Sequence, residues 1–397
     1  MKSVANQSLV LVLLAAAGVL AAAPVLTAGA RPPNTISGGE STPSHLKEPG
    51  WWPTKTDSNP KDYAGSEACA GCHEREAGTQ RNTSMALAAS RVMDTQVLRA
   101  TANIVLDTPP FVTTISRDKK GSTYTTTRGG EAVAGQILWA LGNGTMGRTF
   151  ILESGGSLFE SQLSYYTMIH GLDITPGHVR ALPGDLNGAF GLRVSVETAQ
   201  KCFGCHTTMS SVRRQFEPGH AIPGVTCEAC HGPGAKHVAA MRLGRVEEGR
   251  AAILNPSSFD PQKLVDYCGA CHRTTLDVAA AKDYVPINVR FQPYRLEKSR
   301  CWRAPDPRIA CTGCHDPHEE VVHSANAYDS KCLGCHALKA PAAAPSFDHA
   351  AGKAAACTVG SSQCPSCHMP KYSVPAMHGS FTDHDIRIVR PGDPYPL

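Results

Sequence analysis

Apolar and polar positions alternate differently in successive stretches of the chain. Leu9 to Ala23 is an almost unbroken apolar run. Residues 31 to 62 are rich in Pro, Ser, Thr and Gly with little apolar period, which reads as an extended arm or linker. Trp51 and Trp52 either dock this arm or cover ordinary surface. Between residues 104 and 166, short runs rich in β-branched and aromatic residues recur: Ile104 to Leu106, Phe111 to Ser116, Ser122 to Thr127, Gln136 to Leu141, Arg148 to Glu153 and Leu158 to Tyr166. Each is predicted to be a short strand. Gly-rich turns such as Ser154-Gly155-Gly156 separate some of them, so an antiparallel β unit is expected here. After residue 206 the chain is divided by linkers rich in Gly and Pro. Short helices and irregular chain are expected there.

The first apolar run has the setting of an export signal. Lys2 precedes it, and Ala28-Gly29-Ala30 follows as a small-residue cleavage site before Arg31. The competing reading is an uncleaved anchor, for which the run is short against the roughly 20 residues a span needs. No Cys stands near the cleavage point, which argues against a lipoprotein, and no later segment is apolar enough to cross a bilayer. The mature chain is therefore expected outside the cytoplasm, in a periplasm or otherwise exported.

Composition then changes the picture. The 397 residues include 16 Cys and 17 His, with only 6% aromatic residues. Fourteen of the cysteines fall in seven C-x-x-C-H pentads: Cys69, Cys72 and His73; Cys202, Cys205 and His206; Cys227, Cys230 and His231; Cys268, Cys271 and His272; Cys311, Cys314 and His315; Cys332, Cys335 and His336; Cys364, Cys367 and His368. Two thiols on one turn of chain suit the two vinyl groups along one haem edge, and the next residue, His, can swing under the ring to ligate iron. Zinc also uses paired C-x-x-C units, but does not require His after every second Cys. Seven such coincidences have a chance on the order of 10⁻¹⁰. Covalent haem c attachment at seven sites is expected. Cys301 and Cys357 remain. In an oxidising compartment the simplest expectation is a disulfide, against two free thiols or one thiolate ligand.

Seven macrocycles would supply the apolar core that an aromatic-poor chain lacks. The expected fold is mainly α and irregular, haem-cored, with the antiparallel β unit inserted between haems 1 and 2. The expected organisation is a signal peptide over 1–30, an arm over 31–62, the first haem plus the β insertion over 63–201, and a six-haem region over 202–397. A compact mature chain has a radius of gyration of about 21 Å, which spaces seven haem centres by roughly 23 Å on average. Neighbouring edges must come much closer, so electron hopping is expected. The formal charge of +4 is a poor guide to partners. Loss of Lys2 and addition of two propionates per haem would take it to roughly −11 with ferrous irons and about −4 with ferric ones. Nothing suggests nucleic-acid binding.

With the pentads placed, the chain resembles multihaem cytochromes of the cytochrome c-554 type, a group related to larger multihaem oxidoreductases. The resemblance covers most of residues 62 to 397. It rests on YAGSEACAGCH from Tyr63, GNGTMGRTF at Gly142 to Phe150, PGVTCEACHGPGAKH at Pro223 to His237, RFQPYRLEKSRCW from Arg290, CTGCHDPH from Cys311, CPSCHMPKY from Cys364 and HGSFTDHDIR from His378. Such haems usually take a second axial ligand, and ten histidines lie outside the pentads. An isolated histidine is ordinarily a surface or core residue, but here seven irons need partners. The resemblance makes His237 a ligand of a neighbouring haem, and His318, three residues past a proximal His, is placed similarly. His378 and His384 follow, then His220 and His349. His170, His178 and His323 are further candidates, and His45 in the arm comes last. In the family the turn at Gly142 to Phe150 often carries His where this chain has Met146. The resemblance therefore offers the Met146 thioether as distal ligand of the first haem. The alternatives are a Met packed in the β unit or an unligated haem.

The expected function is electron transfer between other redox proteins, either cytochromes or a membrane quinol-linked complex. The alternative is a redox enzyme acting on a small nitrogen or sulfur compound at an open haem. Enough candidate ligands exist to close every haem, and no C-x-x-C-K pentad occurs, the variant found in family-related nitrite reductases.

Overall fold

The computed structural model describes residues 59–213, 215–280, 287–302, 309–336, 360–390 and 392–396. The expectations for the signal peptide, most of the arm, Trp51, Trp52, His45, His349 and Cys357 lie outside the described residues.

Ten strands follow the first pentad: β1 (Ala89–Arg91), β2 (Asn103–Thr108), β3 (Phe111–Arg117), β4 (Ser122–Arg128), β5 (Glu131–Leu141), β6 (Gly147–Ser154), β7 (Ser157–Ser161), β8 (Leu163–Tyr166), β9 (Gly171–Ile174) and β10 (Gly191–Arg193). They form one antiparallel sheet in the order β10-β7-β6-β5-β4-β3-β2. β1 adds to β5, and β8 bridges β6 and β9. Two Gly-Gly pairs make its tightest corners. Gly129-Gly130 closes Arg128 onto Glu131, and Gly155-Gly156 closes Ser154 onto Ser157. All four glycines have positive φ (+57°, +89°, +54° and +72°). Two-residue hairpins need this, because positive φ at both positions matches the twist of the strands. The segment expected as one strand from Leu158 to Tyr166 is two. At Gln162 the chain leaves the β7 ladder, and β8 pairs with β9.

The sheet has apolar side chains on both faces. Phe111, Thr113 and Ile115 alternate inward along β3, as do Ser122, Tyr124 and Thr126 along β4. Tyr124, Ile137, Phe150 and Leu152 build one cluster with Leu98 and Phe190. Trp139, Leu141 and Ile151 build a second with Ala89 and Phe203. In β5 a register shift between Ile137 and Trp139 lets Ile137 face the first cluster and Trp139 the second. In an unbroken strand residues two apart share a face, so the irregularity re-aims Trp139.

This sheet overturns the expectation of a mainly α and irregular chain. It is a major structural layer with its own core, and three further two-stranded ladders accompany it. The physical reason is local. Residues 103 to 174 carry enough alternating β-branched and aromatic side chains to bury two faces without help from a cofactor, whereas the helices after them are short.

The sheet meets the pentads at Phe203, the residue after Cys202. Phe203 is fully buried, edge-on to Trp139 with ring centroids 5.2 Å apart and edge-on to Phe216 at 5.2 Å. Each pentad lies in or at the end of a short helix. The longest of these are Val196–His206, capped by the Ser195 side chain, and Pro261–His272, capped by Asp260 with Pro at the first position. One helical turn therefore presents both thiols of a pentad to the same side.

Candidate haem site

Three pairs of imidazoles face each other across the pentad region. His73 of the first pentad stands opposite His237, with ring centroids 6.4 Å apart. His231 of the third stands opposite His318 at 6.1 Å, the rings within 7° of parallel. His315 of the fifth stands opposite His384 at 6.3 Å. Two imidazole nitrogens bonded to one metal at about 2.0 Å each would put the ring centroids roughly 6.3 Å apart. The observed gaps fit an iron held between the rings.

Hydrogen bonds fix which nitrogen faces the gap. Nδ1 of His231 lies 2.8 Å from the Leu254 carbonyl oxygen, and Nδ1 of His237 lies 2.9 Å from that of Gly249. Nδ1 of His384 lies 3.1 Å from the Thr382 oxygen, and Nδ1 of His318 lies 3.1 Å from Asp316 Oδ1. Carbonyl and carboxylate oxygens only accept, so Nδ1 donates in each case and the Nε2 lone pair is left for a metal. Burial supports the neutral ring. It lowers the pKa of His231 and of His315, and pushes that of His384 down to about 4, with His315 nearby adding to the effect. Among the described residues no three His, Cys, Asp or Glu side chains converge as a metal-ion cluster would require. The facing pairs suit a planar cofactor slotted between them.

The thiols are also juxtaposed. Cys69 lies within hydrogen-bonding reach of Cys227, Cys268 of Cys311, and Cys332 of Cys364. The first and third, fourth and fifth, and sixth and seventh pentads thus meet at their first cysteines. The second packs on the fourth, with Cys205 Sγ 3.7 Å from the Ala270 carbonyl oxygen. Cys301 sits within electrostatic range of Cys314 and Cys335. Its expected partner, Cys357, lies outside the described residues.

The remaining sequence-selected residues are placed elsewhere. Nε2 of His378 is 2.8 Å from Asp173 Oδ2, and its ring stands edge-on to Tyr166. Both nitrogens of His178 are engaged, Nδ1 with Gln162 and Nε2 with Glu160. His220 is on the surface beside Glu217, and His170 and His323 are exposed. Met146 lies against Gly379, where its side chain fills the space a Cβ would need. The ring opposite His73 belongs to His237.

Two positioning groups escaped the sequence reading. Arg295 and Asp383, both without exposed side-chain surface, pair through Nε to Oδ1 at 2.8 Å and Nη2 to Oδ2 at 2.9 Å. They anchor the segment that carries His384. Glu228, inside the third pentad, accepts three backbone N–H groups. The sequence signal was present in the strings around Arg290, Pro223 and His378, but nothing in it said which charges meet.

A family model described as cytochrome c554 and c-prime matches residues 187–232. That span contains the second and third pentads. The chain is a multihaem c-type cytochrome. This cytochrome is 24% identical over 205 residues to the multiheme cytochrome MtrA of Shewanella baltica (strain OS185), covering 48% of this chain. It spans about half the length of that curated relative. Among solved structures it is similar to the outer cell wall cytochrome OcwA, at 15% identity and a TM-score of 0.46, over 83% of this chain and 80% of the other. Among its described residues no helix is long and apolar enough to cross a membrane.

Proposed function

We propose that this cytochrome is an exported electron-transfer protein carrying seven covalently bound haems, one on each C-x-x-C-H pentad. Each pentad's cysteines would form the thioethers and its histidine would be the proximal ligand. His237, His318 and His384 would be distal ligands on the irons of His73, His231 and His315. The observation that carries the reading is the set of three imidazole pairs at 6.1 to 6.4 Å. An iron held between the two rings of each pair would have both positions taken by this chain's own histidines, with none left for a substrate.

Haem supplies the one-electron chemistry when bound; the chain's own contribution is placement. With haems attached, the meetings of Cys69 with Cys227, Cys268 with Cys311 and Cys332 with Cys364 would bring paired macrocycles close, as exchange of electrons between neighbours requires. The partners would be other redox proteins, cytochromes or a quinol-linked membrane complex. Compartment and haem count are tested together. The mature protein's mass under denaturing conditions should equal the chain from about Arg31 plus seven haems. Reduced protein should pass electrons to an acceptor cytochrome with little turnover of nitrite, hydroxylamine or tetrathionate. Turnover at roughly 1 per second or faster would overturn electron transfer as the role.

That outcome would point to an iron of His206, His272, His336 or His368, because among the described residues no imidazole stands opposite any of these four.

A further inference from the structure

Glu228 is a carboxylate buried at 3% exposure inside the third pentad, between Cys227 and Ala229. Its Oε1 accepts the Ala64 N–H at 2.7 Å and the Gly234 N–H at 2.7 Å, and its Oε2 accepts the Gly65 N–H at 2.9 Å. Among the described residues no Lys, Arg or His forms an ion pair with it. Ala64 and Gly65 lead into the helix Ser66–Ala70 that carries Cys69, and Gly234 leads into the helix Ala235–Arg242 that carries His237. One side chain therefore ties together the entry to the first pentad, the third pentad itself, and the helix whose histidine faces His73. The Cys69 and Cys227 thiols meet at the same place, and the negative charge of Glu228 is felt at both.

Three N–H donors converging on one side chain call for a group that only accepts. A carboxylate accepts at both oxygens, whereas the amide of Gln accepts only at its single oxygen and would turn its NH2 toward the third N–H donor. A buried charge without a cation is poorly screened, and a negative charge disfavours the added electron of ferrous iron. Asp329 repeats the arrangement at a second thiol meeting. It accepts the Gln363 N–H at 2.7 Å and the Cys364 N–H at 2.8 Å, beside the Cys332–Cys364 approach.

We propose that Glu228 is a charged clamp: it locks the first and third pentads in register and holds down the reduction potentials of the two haems they carry. The proposal rests on the haem reading above. It makes Glu228 a positioning residue with an electrostatic effect that a merely structural link would lack.

The test is a spectroelectrochemical titration of the holoprotein, with individual haems assigned by paramagnetic nuclear magnetic resonance. In Glu228→Gln the two potentials belonging to the His73 and His231 irons should shift upward together while the others stay in place. Glu228→Asp, which keeps the charge, should shift them by less than half as much. A Gln variant with its full haem complement and unmoved potentials overturns the proposal. If that variant does not accumulate, hydrogen exchange of the wild type decides. The Ala64, Gly65 and Gly234 amides should be protected together with the third pentad, and open-chain exchange at Ala64 and Gly65 overturns the clamp. Intact mass lacking haem on Cys69 and Cys72, or on Cys227 and Cys230, would instead defeat the haem reading.

Discussion

Arg295 and Asp383 form a two-point ion pair from which water is excluded, with both side chains at 0% exposure. Asp385 and Arg387 extend it, Arg295 Nη2 reaching Asp385 at 3.3 Å and Arg387 Nη1 reaching Asp383 at 2.7 Å. Ser299 Oγ then donates to the His384 carbonyl oxygen at 2.8 Å. The ring opposite His315 is thus aimed by a charge network. Removing one partner of a buried pair costs about 3–5 kcal/mol when the other charge is left bare; Asp385, 3.3 Å from Arg295 Nη2, keeps the cost here at the low end, about 3 kcal/mol. Asp383→Asn should lower unfolding stability by that amount in denaturant titrations and raise a high-spin signal from one haem. A cost below about 1 kcal/mol would show that the pair is better hydrated than its burial indicates.

The same pair sets an acid limit. Burial by itself would raise the Asp383 carboxyl, but the Arg295 guanidinium bonded to it outweighs burial and holds the group below the ordinary carboxylate range. A folded-state value below the unfolded one, about 3.9, means the stabilisation is fully present above the unfolded value. It is lost as pH falls through the folded value. Unfolding free energy followed from pH 7 to pH 2 should fall below about pH 4, and Asp383→Asn should flatten that limb. An identical acid limb in the variant would assign it to other carboxylates.

Distal ligation can be mapped by deletion. His237→Ala, His318→Ala and His384→Ala should each convert one low-spin haem to high-spin in electron paramagnetic resonance. His178→Ala, which removes a ring already bonded to Gln162 and Glu160, should convert none. Equal high-spin gain in all four variants would mean that the facing geometry does not report ligation.

Met146 gives a sharper contrast. Its side chain packs on Gly379 and His237 occupies the place opposite His73. The far-red sulfur-to-iron band that thioether ligation produces should therefore be missing from the ferric wild type. Met146→His should leave every midpoint potential nearly unchanged. A band lost on that substitution would return Met146 to the iron.

Phe203 couples the sheet to the second pentad. Phe203→Ala empties a fully buried site beside Trp139 and Phe216, and large-to-small changes of this kind cost about 3–5 kcal/mol. The loss should appear as a lowered denaturation midpoint together with perturbed absorption of the haem proposed on Cys202 and Cys205. Stability loss with unaltered haem spectra would show that the sheet and the pentad tolerate separation.

What this chain's sequence determined by itself is whatever its chemistry needs within a few residues. Two thiols and an imidazole in one C-x-x-C-H turn are all that the expectation of haem attachment needs. Gly129-Gly130 and Gly155-Gly156 are legible as corners because only positive φ closes a two-residue hairpin there. The alternation through Phe111, Thr113 and Ile115 shows a strand because successive side chains must point to opposite faces. The tertiary structure decided what depends on distant segments meeting. No local rule says that His237 faces His73 while Met146 turns to Gly379, because either donor could reach an iron if the backbone delivered it. Glu228 reads in sequence as an ordinary acid between two cysteines. Its partner Ala64, 164 positions away, becomes visible only once the first and third pentads pack. The balance of strand and helix was misjudged for the same reason. Each short strand carries a weak local signal, and cooperative pairing along the β2-to-β10 order turns those segments into a ten-stranded layer with a core of its own.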